Sequence, residues 1–142
     1  MTDGAADLER FASAQTPVIG AVMAELARGR KETHWMWFVF PQLRALGQSE
    51  RALYYGIAGR EEAEAYASHP VLAARVRAGA ELLLSHAGQR SAVDIMGEVD
   101  AMKLRSSMTL FAMVAHGQTS FPAVLDGFYA GHRCARTEEL LQ

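Results

Sequence analysis

Disulfide chemistry is the first thing this chain lacks, because its 142 residues include one cysteine, Cys134. A lone thiol can neither close an internal disulfide nor build a cysteine-rich zinc site. An excess of one charge is missing too. The net charge is −2 with Lys and Arg scattered along the chain, so no basic footprint for nucleic acid is present. No apolar run approaches the roughly 18 residues of a membrane-spanning helix. The N-terminal Met-Thr-Asp-Gly-Ala-Ala-Asp has neither the basic nor the apolar region of a signal peptide. These absences predict a cytoplasmic protein with no nucleic-acid or membrane partner. Oligomeric state is not specified. The usual catalytic signatures are absent as well: no phosphate-binding P-loop, no dinucleotide-binding glycine fingerprint, no Gly-x-Ser-x-Gly elbow and no His-Glu-x-x-His. Ser106-Ser107 beside Lys103 reverses the order used by serine–lysine enzymes. Neither a metal nor a cofactor is expected.

What is present is a run of helix punctuation. Half of the residues are apolar and 21% are charged, ordinary for a globular chain long enough to bury one core. Asp7 can cap a helix carrying Leu8 and Phe11, and Thr16-Pro17 reads as an N-cap followed by proline at the first helical position. Val18, Val22 and Leu26 then recur at helical spacing until Gly29. Ser49, Gly59, His69-Pro70, Ser91 and Asp100 mark further helix starts, with the Asp100 helix running to about His116. Val124, Leu125 and Phe128 form another apolar face, and Thr137 can cap a last turn. Only residues 35–40 have the aromatic and β-branched content of a strand, and one strand has nothing to pair with, so they read as a buried helix. The expected fold is all-α, a compact single-domain bundle over residues 1–142 with about seven to nine short and medium helices.

Chemistry concentrates in two segments. Residues 31–42, Lys-Glu-Thr-His-Trp-Met-Trp-Phe-Val-Phe-Pro-Gln, hold both tryptophans and attach Lys31, His34 and Gln42 to an apolar run. On a helix Trp35 and Trp37 point about 200° apart, so one belongs to the core and the other can line a cleft. Tryptophan beside cations suits a flat ring or a sugar. The plain reading is a core helix whose His34 bonds a backbone carbonyl. His34 and His69 are the histidines best placed for acid–base work, although His69-Pro70 is more simply a capping turn. In the second segment Asp100, Lys103 and Ser107 fall within about 60° of one another on the inward face, while Arg105 and Thr109 point to the opposite, more polar side. A buried ammonium must be paired or line a solvated cleft, and Asp100 is the natural partner for Lys103. A structural ion pair and a polar pocket floor both satisfy that requirement. Cys134, between Arg133 and Arg136, reads as a bystander whose pKa those charges could lower.

These segments and further residues carry a family resemblance. They are Asp7-Leu8-Glu9-Arg10-Phe11 with Gln15, Lys31, His34-Trp35-Met36-Trp37-Phe38 through Pro41-Gln42, then Tyr55 with Ile57. Glu62-Ala63, Tyr66, His69-Pro70, Gly97, Asp100, Lys103 and Ser106-Ser107-Met108-Thr109-Leu110-Phe111 complete them. From about Asp7 to Leu141 the chain resembles the bacterial and fungal family catalogued as domain of unknown function 1810. The resemblance implies a compact, mainly helical single domain and brings no established activity. The family pattern implies an Asp between Gly131 and Thr137, where this chain has Cys134. Some members carry the label calpastatin, which does not fit: such inhibitors are long, polar and disordered, and this chain is short and half apolar.

Two functional readings follow. One is a small-molecule enzyme or binding protein, for a nucleotide- or sugar-like ligand, with its cleft between the 31–42 segment and the Asp100 helix. His34, Asp100 and Lys103 would be its catalytic residues, with His34 or Asp100 moving the proton. Lys31, Trp35, Trp37, Gln42, Tyr55, His69 and Ser107 would contact the ligand. The other is a protein-interaction module, which requires a broad exposed apolar patch and no polar cleft.

Overall fold

Local capping chemistry sets several of the helix boundaries in the computed structural model, which describes residues 4–142, with side chains described from Leu8 onward. The elements are α1 (Gly4–Gln15), α2 (Ile19–Arg28), α3 (Met36–Val39), a 3-10 turn (Arg44–Leu46), α4 (Glu50–Tyr54), α5 (Arg60–Ser68), α6 (Pro70–Leu84), α7 (Ala92–Met96), α8 (Glu98–Val114), α9 (Ser120–Tyr129) and α10 (Ala135–Leu141). Ser49 Oγ accepts from Ala52 N, and Ser91 with Asp94 forms a full capping box. His69 Nδ1 accepts from the amides of Val71 and Leu72, with Pro70 at the first helical position, so that dipeptide is a cap. Gly29 closes α2 in the left-handed region at φ 73°.

Other caps differ from expectation. α1 begins before Asp7, which lies inside the helix. Thr16 Oγ1 donates back to Ala12 O, so Thr16-Pro17 ends α1, and α2 starts at Ile19 with no side-chain cap. Gly97 and Cys134 hold the N-cap positions of α8 and α10, leaving Asp100 and Thr137 inside the first turns. Ten α-helices form among the described residues, more than the seven to nine expected, because the chain between Trp35 and Tyr55 breaks into one-turn pieces. Too short to persist alone, α3 survives by burial. Trp35, Met36, Val39 and Phe40 are all sealed in the core, each contributing roughly 1.5–3 kcal/mol.

α8 runs through the centre, packed against α5, α7, α9 and α10. Its buried residues therefore surround the axis from Ala101 to Val114 instead of forming one stripe. The expected polar side is corrected accordingly. Thr109 is fully buried; its hydroxyl donates to Arg105 O and accepts from Cys134 N at 2.9 Å.

Three polar knots fasten the helices. Glu25, 3% exposed, accepts from the amides of Glu32 and Thr33, from Thr33 Oγ1 at 2.6 Å and from Trp35 Nε1 at 2.9 Å. Gln15 Nε2 donates to Phe38 O and Tyr66 Oη, joining α1 to α3 and α5. Arg10 grips Glu62 through two guanidinium nitrogens at 3.0 and 3.2 Å, and donates to the carbonyls of Tyr54 and Gly56. This last knot anchors a flap over residues 42–57. Its base is closed by Ile57 N donating to Gln42 O at 2.9 Å and Arg44 N donating to Ile57 O at 2.8 Å.

Candidate functional site

The flap and α8 enclose a cleft of about 550 Å³. α8 contributes a stripe at helical spacing, Val99, Met102, Lys103 and Ser106, with Arg105 beside it. The opposite wall is Gln42 with residues Leu46 to Ser49 and Ala52, and Cys134 joins the lining from the start of α10. No carboxylate lines this cleft.

Its cations are unsatisfied. Lys103 enters no ion pair or hydrogen bond among the described residues; its Nζ lies 5.9 Å from the centre of the Trp37 ring. Arg51 sits 5.0 Å from the same ring, so Trp37 is engaged by two cations. Arg105 also enters no ion pair among the described residues, and its Nε is buried without a hydrogen bond. Behind Lys103 and Gln42, Trp37 and Tyr55 border a void of about 10 Å³. That is room for one water at most, so Trp37 and Tyr55 back the cleft and do not face a ligand.

The remaining expected residues lie elsewhere. Asp100 pairs with Lys31 at 3.0 Å, so the expected Asp100–Lys103 pair does not form. Lys31 Nζ also donates to Thr33 O at 2.6 Å and lies 4.9 Å from the Trp35 ring centre. With its side chain 7% exposed, Lys31 is the buried half of that ion pair. Trp35 is core, as one tryptophan had to be; His34 is exposed and outside the cleft lining. His69 caps α6. Ser107 is fully buried with an unpartnered hydroxyl, and its neighbour Ser106 reaches the cleft instead. Of the ten expected residues, Gln42 and Lys103 line the cleft, and Trp37 and Tyr55 support them from behind.

Two largely buried carboxylates escaped the sequence reading, and one thiol was read with a different cause. Burial would raise the Glu25 carboxyl, yet the bonds from Thr33, Glu32 and Trp35 outweigh it and hold the pKa at about 2. Burial likewise opposes ionisation of Glu62, and Arg10, the Ala58 amide and the Arg44 charge win, placing it below the usual carboxylate range. The thiol is Cys134, its pKa expected to be lowered by the neighbouring arginine charges. Burial pushes its thiol up, while hydrogen bonding, with the Ser106 hydroxyl 3.5 Å from the sulfur, pulls it below its ordinary value. The cause is hydrogen bonding rather than the arginine charges. Alternation of polar and apolar residues carries no signal for any of these contacts, since each joins segments separated in sequence.

A wider hollow of about 980 Å³ opens beside the Arg10–Glu62 knot, lined also by Arg44, Tyr54 and Arg60. Its size is no guide to chemistry. Arg10 is paired with Glu62, and Arg60 with Glu64 and the Leu141 carbonyl, so its charged groups are already largely satisfied.

The described residues thus form a single all-α domain with a cationic cleft beside the central helix. Residues 5–141 match the family described as "Protein of unknown function (DUF1810)", and the chain belongs to that family. It is also similar to the crystal structure of a conserved hypothetical protein from Mycobacterium tuberculosis. The two are 47% identical, covering 95% of this chain and 96% of the other, with a TM-score of 0.92. No curated protein matches. Among the described residues no helix is long and apolar enough to cross a membrane, and no cluster of three metal-binding side chains occurs.

Proposed function

We propose that this protein binds a small, nucleotide- or sugar-like molecule in the cleft between α8 and the 42–57 flap. The observation that carries the reading is the cleft itself. Its floor presents Lys103 without a counter-ion, and Gln42, Gln48 and Ser49 offer neutral donors and acceptors on the facing wall. His34 and Asp100 do not line it, so the proposal is one of binding. A protein-interaction role is the second reading, favoured by Val99 and Met102, which stand 66% and 67% exposed at the cleft's lip.

A thermal-shift panel of nucleotides, nicotinamide dinucleotides and sugar phosphates tests the proposal. A ligand at a hundredfold excess over Kd adds about 2.7 kcal/mol, a rise on the order of 5–10 °C for a chain of this size. Lys103→Ala should abolish the shift and lower the ligand-free melting point little, because Lys103 forfeits only a cation–π contact worth about 0.5–1 kcal/mol. No shift from any compound would favour the interaction role. A Lys103→Ala protein that fails to fold would make Lys103 a structural residue.

A further inference from the structure

We infer that the cleft takes a phosphomonoester carried on a small, flat apolar body, with the dianionic group held by Lys103 and Arg105. This rests on the proposed cleft and specifies its ligand. Two cations two residues apart on α8 line one cavity, and neither is matched by a carboxylate among the described residues. A solvated surface charge needs no partner. Arg105 is different, because its Nε is removed from water and bonded to nothing. Leaving such a donor unmet costs stability, and the guanidinium that carries it lines the cleft with no carboxylate beside it. Lys103 is held in place by the Trp37 ring, which loses no hydrogen-bond capacity of the ammonium. Cys134 is the one lining group able to carry negative charge.

Charge and geometry select phosphate over carboxylate. Two formal positive charges balance a dianion, and the guanidinium fork and a point-charge ammonium together suit a tetrahedral group. Ser49 and Gln48 supply further neutral donors from the facing wall. The body of the ligand has its own surface. Val99 and Met102, three residues apart on α8, are the two most exposed large apolar side chains described, and Leu46 faces them across the cleft. Covering them with a flat ring removes apolar area from water.

The test is a ¹H–¹⁵N titration with phenyl phosphate, glucose 6-phosphate and benzyl alcohol. Phenyl phosphate should move the amides of Gln48, Ser49, Met102 and Ser106 saturably, and bind at least tenfold more tightly than benzyl alcohol. Lys103→Met and Arg105→Met, each checked by thermal melting, should weaken phenyl phosphate by about tenfold or more. The comparison of phenyl phosphate with benzyl alcohol on the unaltered protein stands even where a variant folds poorly. Equal binding of those two overturns the phosphate assignment and leaves the cleft reading intact. Stronger binding of glucose 6-phosphate than phenyl phosphate overturns the apolar body. Cleft amides unmoved by all three probes at millimolar concentration overturn both readings.

Discussion

Replacing Glu25 with Gln should expose how much of this fold hangs on one buried carboxylate. Glu25 accepts four hydrogen bonds, from two amides, a hydroxyl and an indole, all within 3.0 Å. Its pKa falls from an ordinary 4.5 to about 2 in the folded protein. At about 1.36 kcal/mol per pKa unit, that difference corresponds to roughly 3 kcal/mol favouring the folded state near neutrality. Glu25 is buried, but its partners Glu32 and Thr33 lie at the surface, so solvent screening makes roughly 3 kcal/mol an upper figure. Because the folded pKa is the lower one, the contribution is complete above pH 4.5 and disappears as pH falls toward 2. At pH 3 a little over 1 kcal/mol should remain, by the same linkage relation. Gln keeps the shape of Glu but turns one acceptor into a donor facing N–H groups. Glu25→Gln should therefore cost about 2–4 kcal/mol at pH 7, from lost charge-assisted bonds and a stranded donor. The decisive assay is urea unfolding of both proteins at several values between pH 7 and pH 2.5. The stability gap should narrow by about 2 kcal/mol between pH 7 and pH 3. Parallel pH profiles would refute the reasoning, because they would mean the carboxylate is no more stabilised in the folded state than in the unfolded one.

Four further predictions address the flap and the last helix. Arg10→Met removes the bidentate partner of Glu62 and strands a mostly buried carboxylate, for an expected loss of about 3–5 kcal/mol in chemical denaturation. Gly56→Ala would set a Cβ 2.4 Å from Arg44 Cα and 2.8 Å from Ala52 O, both backbone atoms. The flap must shift to admit it; a destabilisation of about 1–3 kcal/mol and weakened ligand binding are expected, and an unchanged melting point would argue against that packing. Cys134→Asp puts a strong capping residue at the α10 N-cap, where the thiol makes no capping bond. It should add up to about 1 kcal/mol in thermal unfolding. In the unaltered protein, alkylation of Cys134 by iodoacetamide should titrate with a midpoint below the ordinary thiol value of 9.0.

How far the sequence is legible depends on the range of the interaction that decides each feature. Ser49, Ser91, His69-Pro70 and Gly29 act within a few residues of themselves, and each terminates its helix as its chemistry requires. The all-α class follows from the same local rules. Thr16 shows where such rules fail, because its hydroxyl donates back to Ala12 O in the preceding turn and caps nothing in α2. Wheel geometry singled out Lys103, which lines the cleft, but it sent Arg105 and Thr109 to an opposite, more polar side. That inference assumes a helix with one wet side, and α8 is packed on nearly all of its circumference.

Partner choice is the other boundary. Asp100 has Lys103 one turn away and pairs instead with Lys31, 69 positions earlier, because packing carries the 31–35 segment to the start of α8. Glu25 looked like an unremarkable residue near the end of α2 until the chain after Gly29 folded back over it. The sequence by itself determined the helical class, several caps, the fact that Trp35 and Trp37 do not share one face, and the family. The tertiary structure alone decided which charges are spent on holding the fold and which stay unpaired. Capping is a contact between neighbours in the chain, whereas ion pairing and cleft formation depend on distances that exist only after the helices pack.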